Sequence, residues 1–147
     1  MATISSFRGP HAFLSNFHPS PIRVGERTAP TVEHAFQAAK TFDDEKVAWI
    51  LDADTPGKAK WRGKRVPLRP DWERVRLAVM EDALRQKFAP GSELAAQLLA
   101  TGDAELVEGN AWGDRFWGVS RGTGRNHLGR LLMRIRAELR EARSRGA

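Results

Sequence analysis

Apolar residues recur at helical spacing through most of the chain, and only short stretches alternate as strands do. Residues 4–25 are the exception. Gly9, Pro10, Pro19 and Pro21 interrupt them, so they read as loops, with a small strand at Ile22 to Val24 before the turn at Gly25. Thr31 is placed to cap a helix running to about Phe42, in which Val32, Ala35, Phe36 and Ala39 share a side. A second helix is predicted from Asp44 to Leu51. A third starts at Thr55 and runs through Lys60, with Pro56 at its first position, where a missing N–H does little harm. Asp71 is placed to cap a longer helix to Phe88, with Trp72, Val75, Val79, Ala83 and Phe88 as its apolar side. Ser92 begins another, ending near Thr101-Gly102. Leu106 to Glu108 and Trp117 to Val119 read as short strands around a glycine-containing loop. The last helix runs from about Asn126 to Arg143 on a stripe of Leu128, Leu131, Leu132, Ile135 and Leu139. The pattern predicts a mainly α fold with a small β element.

Composition narrows this. A chain of 147 residues, 41% hydrophobic and without repeat or long linker, fits one compact domain over 1–147. There is no cysteine, which excludes disulfides, zinc–thiolate sites and thiol nucleophiles and fits a reducing compartment. Met1 to Ser6 shows no basic stretch leading into an apolar run, and no segment approaches the length of a membrane span. A cytoplasmic location without a membrane partner is expected. His11, His18, His34 and His127 are not paired at metal-ligand spacing, so neither a metal nor another cofactor is expected. No Gly-x-Ser-x-Gly elbow is present either. The net charge of +6 points to anionic partners such as phosphates, nucleotides or nucleic acid. Arginines gather after Arg115, with Arg134, Arg136, Arg140, Arg143 and Arg145 in the last turns, either as a solvated helix face or as a phosphate-attracting field.

Three clusters are candidates for chemistry. Glu33, Gln37 and Lys40 stand at i, i+4 and i+7, so a helix would present all three on one face. A carboxylate beside an amine suits acid–base and amine catalysis, since partial burial favours the nucleophilic, neutral form of lysine. The alternative is an ordinary exposed face, with Glu33 favoured by the helix N-terminus. The second cluster, residues 108–118, holds Trp112, Trp117, Glu108, Asp114 and three glycines in eleven residues. Tryptophans stack on flat rings and glycines let backbone approach a ligand, with Asp114 a candidate base or ribose anchor; a tight turn with aromatic plugs explains the same residues. The third, Gly122 to Gly129, opens the last helix and offers a phosphate cradle without matching a nucleotide-binding fingerprint.

Taken in order, these segments resemble the NADAR/YbiA-like family. The resemblance rests on Phe13-Leu14-Ser15-Asn16-Phe17, on Thr31-Val32-Glu33-His34-Ala35-Phe36-Gln37-Ala38-Ala39-Lys40, and on Asp71-Trp72, Met80 and Lys87-Phe88. It continues through Leu99-Ala100-Thr101-Gly102, Asp114, Trp117-Gly118 and Asn126 to Leu132, and covers residues 7–139. It implies a single YbiA-like domain and an N-glycosidase. The implied substrates are ribosylamino-pyrimidine intermediates of riboflavin synthesis, or ADP-ribosylated guanine in DNA or RNA. A phosphorylated ribosylamine or an ADP-ribosyl group would thus be the partner. By the same resemblance Glu33, Lys40 and Asp114 are catalytic, and Asn16, Phe17, Trp72, Lys87, Trp117, Gly118 and Asn126 bind substrate.

Two routes fit those residue types. In one, Glu33 moves a proton while neutral Lys40 takes the sugar as a Schiff base, and water activated by Asp114 or Glu33 releases it. In the other, water attacks an oxocarbenium-like sugar between two carboxylates. The rival in function is a non-catalytic ADP-ribose- or nucleotide-binding module, which has no use for an amine and a carboxylate on one face.

Overall fold

The computed structural model describes residues 2–146; the ends of the predicted domain, Met1 and Ala147, lie outside the described residues. In chain order the elements begin with β1 (Thr3–Ile4), a 3-10 turn (Gly9–Leu14), β2 (Pro19–Val24), β3 (Arg27–Thr31) and α1 (Val32–Ala38). They continue with α2 (Asp44–Leu51), α3 (Pro56–Gly63), α4 (Trp72–Lys87) and α5 (Glu93–Ala100). Short β4 (Glu105–Leu106), β5 (Gly109–Asn110) and β6 (Val119–Ser120) precede α6 (His127–Gly146). The fold is mainly helical with a minor β element. Its contacts gather in two units, one of residues 16–87 and one holding the chain up to Ser15 and from Phe88 onward.

In the 16–87 unit, Gly25 turns at φ +60°, where glycine is strain-free, and folds β2 onto β3 as an antiparallel hairpin. Ile22 faces Ala29 across it and both are buried. Strand β3 was not legible beforehand, because Arg27-Thr28-Ala29-Pro30-Thr31 carries only one buried apolar side chain. Helix α1 follows without a loop and touches α2, α3, α4 and the hairpin. It ends four residues short of the predicted Phe42. The chain turns at Lys40, whose carbonyl accepts from the Arg69 backbone N–H (2.7 Å). Ala38, Ile50, Ala53, Ala59 and Val66 form a buried cluster beside it. Helix α2 matches its predicted span, and α3 runs three residues past Lys60. Asp71 stands directly before α4, and its carbonyl accepts from the Arg74 and Val75 N–H groups (3.0 and 3.1 Å). Its carboxylate takes both Nε and Nη2 of Arg69 (2.6 and 2.8 Å).

In the other unit β1 and β4 pair in parallel, as do β5 and β6. The predicted strands at 106–108 and 117–119 are therefore shifted. Leu106 pairs back to Ile4, while Glu108 lies between strands with its carbonyl accepting from the Val119 N–H (2.9 Å). Helix α6 packs against α5 and β4 through the predicted stripe, and Leu128, Leu131, Leu132, Ile135 and Leu139 are all buried. Each such side chain contributes about 1.5–3 kcal/mol. Two of the terminal arginines, Arg136 and Arg140, serve this packing. Arg136 is buried and donates to the Thr101 hydroxyl and the Ala104 carbonyl (both 2.8 Å). Arg140 bridges Asp103 (3.0 Å), and Arg145 pairs with Glu141 (3.2 Å). Among the described residues no helix is long and apolar enough to cross a membrane.

One buried polar residue fastens α1. His34 Nδ1 meets the Thr31 hydroxyl (2.8 Å) and Nε2 meets the Ala53 carbonyl (2.8 Å). His34→Leu removes both contacts and strands two buried partners, so it should destabilise the protein by about 2–4 kcal/mol. Urea unfolding measures this, and a loss under about 0.5 kcal/mol would mean that the histidine is not a fastener.

Candidate active site

Glu33 is the second residue of α1. The Thr31 hydroxyl caps the helix by accepting from the His34 N–H (3.0 Å), and the Asn16 carbonyl accepts from the Glu33 N–H (3.0 Å). All seven residues of α1 are buried, which excludes an ordinary exposed face. The Glu33 carboxylate is 9% exposed, and its Oε2 accepts from Gln37 Nε2 (2.7 Å). Burial pushes the Glu33 pKa above the usual carboxylate value. The Gln37 hydrogen bond and the charges of Lys60, Lys40 and His34 oppose that push without cancelling it.

Lys40 lies in the turn after α1 rather than on the helix, its N–H donating to the Gln37 carbonyl (3.2 Å). It remains within electrostatic reach of Glu33. Its side chain is half-buried, with Nζ 5.9 Å from the centre of the Phe36 ring. Burial lowers its pKa, Glu33 counteracts, and Lys64 and Lys60 lower it further. A carboxyl drawn toward its protonated form and an amine drawn toward its neutral form thus share one neighbourhood, the pairing that proton transfer and amine addition require.

Lys60 and Lys64 were not singled out from sequence. Yet a signal for them was present, since residues 55–70 contain six cations (Lys58, Lys60, Arg62, Lys64, Arg65 and Arg69) and no acid. The same stretch carries Trp61, 46% exposed, with the Arg65 guanidinium 3.4 Å and Lys58 Nζ 5.1 Å from its ring centre.

Other expected binding residues of this unit have mixed positions. Trp72 is buried at 5.1 Å from the Phe36 ring, so it packs the core and is not an open stacking platform. Asn16 reaches Met80 Sδ through Nδ2 (3.6 Å), while its Oδ1 is buried and unpartnered. Phe17 is exposed. Lys87 is buried, which pushes its pKa down to about 7, and His18 feels its charge.

The remaining expected residues lie in the other unit and brace a loop. Asp114 Oδ1 accepts from the Phe116 and Trp117 N–H groups (3.0 and 2.9 Å), and the Asp114 N–H donates to Asn110 Oδ1 (3.0 Å). Asn126 adopts a left-handed φ of +52°. Its Nδ2 donates to the Leu106 carbonyl (2.9 Å) and its Oδ1 accepts from the Glu108 N–H (3.0 Å), so both ends of the amide are engaged in backbone. Gly118 is buried where a Cβ would collide with Glu108 and Asn110. Trp117 meets the Phe116 ring edge-on at 4.8 Å. In the Gly122–Gly129 stretch Gly122 turns at φ +83° in open space, whereas the other two glycines allow close packing. A Cβ at Gly124 would meet the Gly118 carbonyl, and one at Gly129 would meet the Leu106 carbonyl and Asn126. Among the described residues no group of three or more His, Asp or Glu side chains is placed to hold a metal.

Comparison with known proteins adds four findings. The sequence pattern of the NADAR domain matches residues 5–140. The chain is 44% identical over 129 residues to N-glycosidase YbiA of Escherichia coli (strain K12), covering 86% of this chain and 80% of that protein. The NMR structure of E. coli YbiA superimposes with a TM-score of 0.83 at 41% identity, over 97% of this chain and 89% of that one. The chain is also 45% identical over 136 residues to the riboflavin biosynthesis protein VVA0006 of Vibrio vulnificus (strain YJ016), covering 89% of this chain but only 36% of that longer protein.

Carbon-detected NMR titration of Glu33 should give a midpoint above the ordinary glutamate value of about 4.3. In Glu33→Gln the Lys40 midpoint should fall further, because the carboxylate that raises it is gone. A Lys40 midpoint unmoved by that substitution would mean that the two groups are not electrostatically linked.

Proposed function

The chain belongs to the NADAR domain family and is an N-glycosidase, and we propose that it cleaves the ribose–amine bond of phosphorylated ribosylamino-pyrimidine intermediates of riboflavin synthesis. The observation that carries this reading is the burial of Glu33 together with Lys40, which drives both toward their uncharged forms. The riboflavin connection is supported by the relative VVA0006. The phosphate preference is supported by the acid-free run 55–70, whose Lys60 acts on Glu33 and Lys40 and whose Lys64 acts on Lys40. A module that only bound ADP-ribose would gain nothing from an amine and a carboxyl each shifted toward its uncharged form.

The reaction proceeds through the sugar's first carbon. The substrate nitrogen's lone pair expels the ring oxygen, which takes the Glu33 proton, and leaves an iminium at that carbon. Neutral Lys40 Nζ adds there. Its surplus proton passes through Glu33 to the substrate nitrogen, which departs as the free aminopyrimidine. Water then adds to the Lys40 imine, the carbon–nitrogen bond breaks, and the sugar leaves as an aldehyde that recloses. Glu33 handles the water's proton as well.

Purified protein incubated with a ribosylaminopyrimidine 5′-phosphate should release base and sugar phosphate, read by mass spectrometry, and an oligonucleotide bearing ADP-ribosylated guanine serves as the second arm. Cleavage of that arm alone would replace the riboflavin substrate, and binding without turnover in either would overturn the reading. Glu33→Gln should lower turnover about a hundredfold or more. Borohydride added during turnover should leave the sugar attached to Lys40, and Lys40→Arg should form no adduct, because arginine stays protonated. Turnover under borohydride with no added protein mass, and a wild-type rate in Lys40→Arg, would instead support direct attack by water. Added salt should raise KM for the 5′-phosphate more than for the dephosphorylated riboside, and Lys64→Gln should remove much of that difference.

A further inference from the structure

We infer that Gln37, seated on Gly63 of α3, is a positioning residue that holds the Glu33 carboxyl in its working orientation; this rests on Glu33 being the acid of the proposed reaction. Gln37 is buried, and its two amide ends are treated unequally. Nε2 donates to Glu33 Oε2 (2.7 Å), whereas Oε1 is buried with no hydrogen-bond partner. A buried acceptor without a donor is unfavourable, and a native structure keeps one where the rest of the group has a task. The place where that oxygen rests explains how it is tolerated. Gly63 is itself buried, and a Cβ there would overlap Gln37 Oε1 and crowd its Cδ and Cβ. Only glycine lets the amide oxygen lie against the α3 backbone with the nitrogen turned to Glu33.

Two consequences follow for Glu33. With Oε2 engaged as an acceptor, the transferable proton is left to Oε1. The hydrogen bond also favours the ionised carboxylate, opposing burial, so that Glu33 can release its proton as well as hold it. The other charged and titratable groups acting on Glu33 are Lys60 of α3, Lys40 of the following turn and His34 of α1.

The test is Gln37→Met, which keeps the length of the side chain and removes the donor, together with Gly63→Ala, which displaces an unaltered Gln37. In Gln37→Met, kcat should fall about tenfold or more, with KM changed less than about twofold. The limb of the pH–kcat profile due to Glu33 should move to higher pH, because the bond favouring the ionised form is gone. Gly63→Ala should move the same limb in the same direction. Should that variant not fold, NMR titration of the Glu33 carboxyl in folded Gln37→Met supplies the second readout, expected above its wild-type midpoint. A Gln37→Met protein with the wild-type limb and the wild-type Glu33 midpoint would overturn the inference. Wild-type turnover in Glu33→Gln would remove the reading beneath it, and that assay is independent of Gln37.

Discussion

The complete burial of one short polar helix is the constraint on which the 16–87 unit depends. Helix α1 has the sequence Val-Glu-His-Ala-Phe-Gln-Ala, and every residue of it is withdrawn from water. Three of the seven carry polar side chains, so burial is tolerable only where their hydrogen bonds are met. Thr31 and Ala53 serve His34, Gln37 serves Glu33, and the Asn16 carbonyl serves the helix N-terminus. Neighbouring elements are thereby fixed in place: Asn16 before the hairpin, Ala53 after α2, and Gly63 on α3.

The same withdrawal from water shifts the two groups that the proposed reaction uses. A carboxyl at the surface would be ionised at neutral pH and a surface lysine fully protonated, which would make the two an ordinary ion pair. Desolvation opposes both charges, and the positive charges of Lys60 and Lys64 add to its effect on Lys40. Packing and the shifted titration of these groups are thus one interaction seen twice, and the Gln37 oxygen is the acceptor on α1 that this packing leaves unmet.

Electrostatics follows a similar division. The arginines of α6 look in sequence like the natural place for an anion, yet Arg136, Arg140 and Arg145 are occupied with carbonyls, a hydroxyl and carboxylates of their own unit. The cations of residues 55–70 have no acid among them in sequence, and it is two of these that act on Glu33 and Lys40.

The sequence by itself determined the helical character of the chain, the spans of α2 and α5, the apolar stripe of α6 and the family, and it nominated Glu33 and Lys40 as candidates. These rest on local periodicity, on capping residues such as Thr31 and Ser92, and on an ordered set of motifs, none of which needs knowledge of distant contacts. Tertiary structure alone decided the rest. It ended α1 at Ala38, because a carbonyl at Lys40 found its donor at Arg69, twenty-nine positions away. It turned Trp72 into core against Phe36, and Asp114 and Asn126 into braces of a loop. It also made Gly63 a seat for Gln37. Burial and hydrogen-bond partners belong to residues far apart in the chain, so spacing could nominate these groups, but only the fold could say which were dry, which were already engaged, and which were left to act.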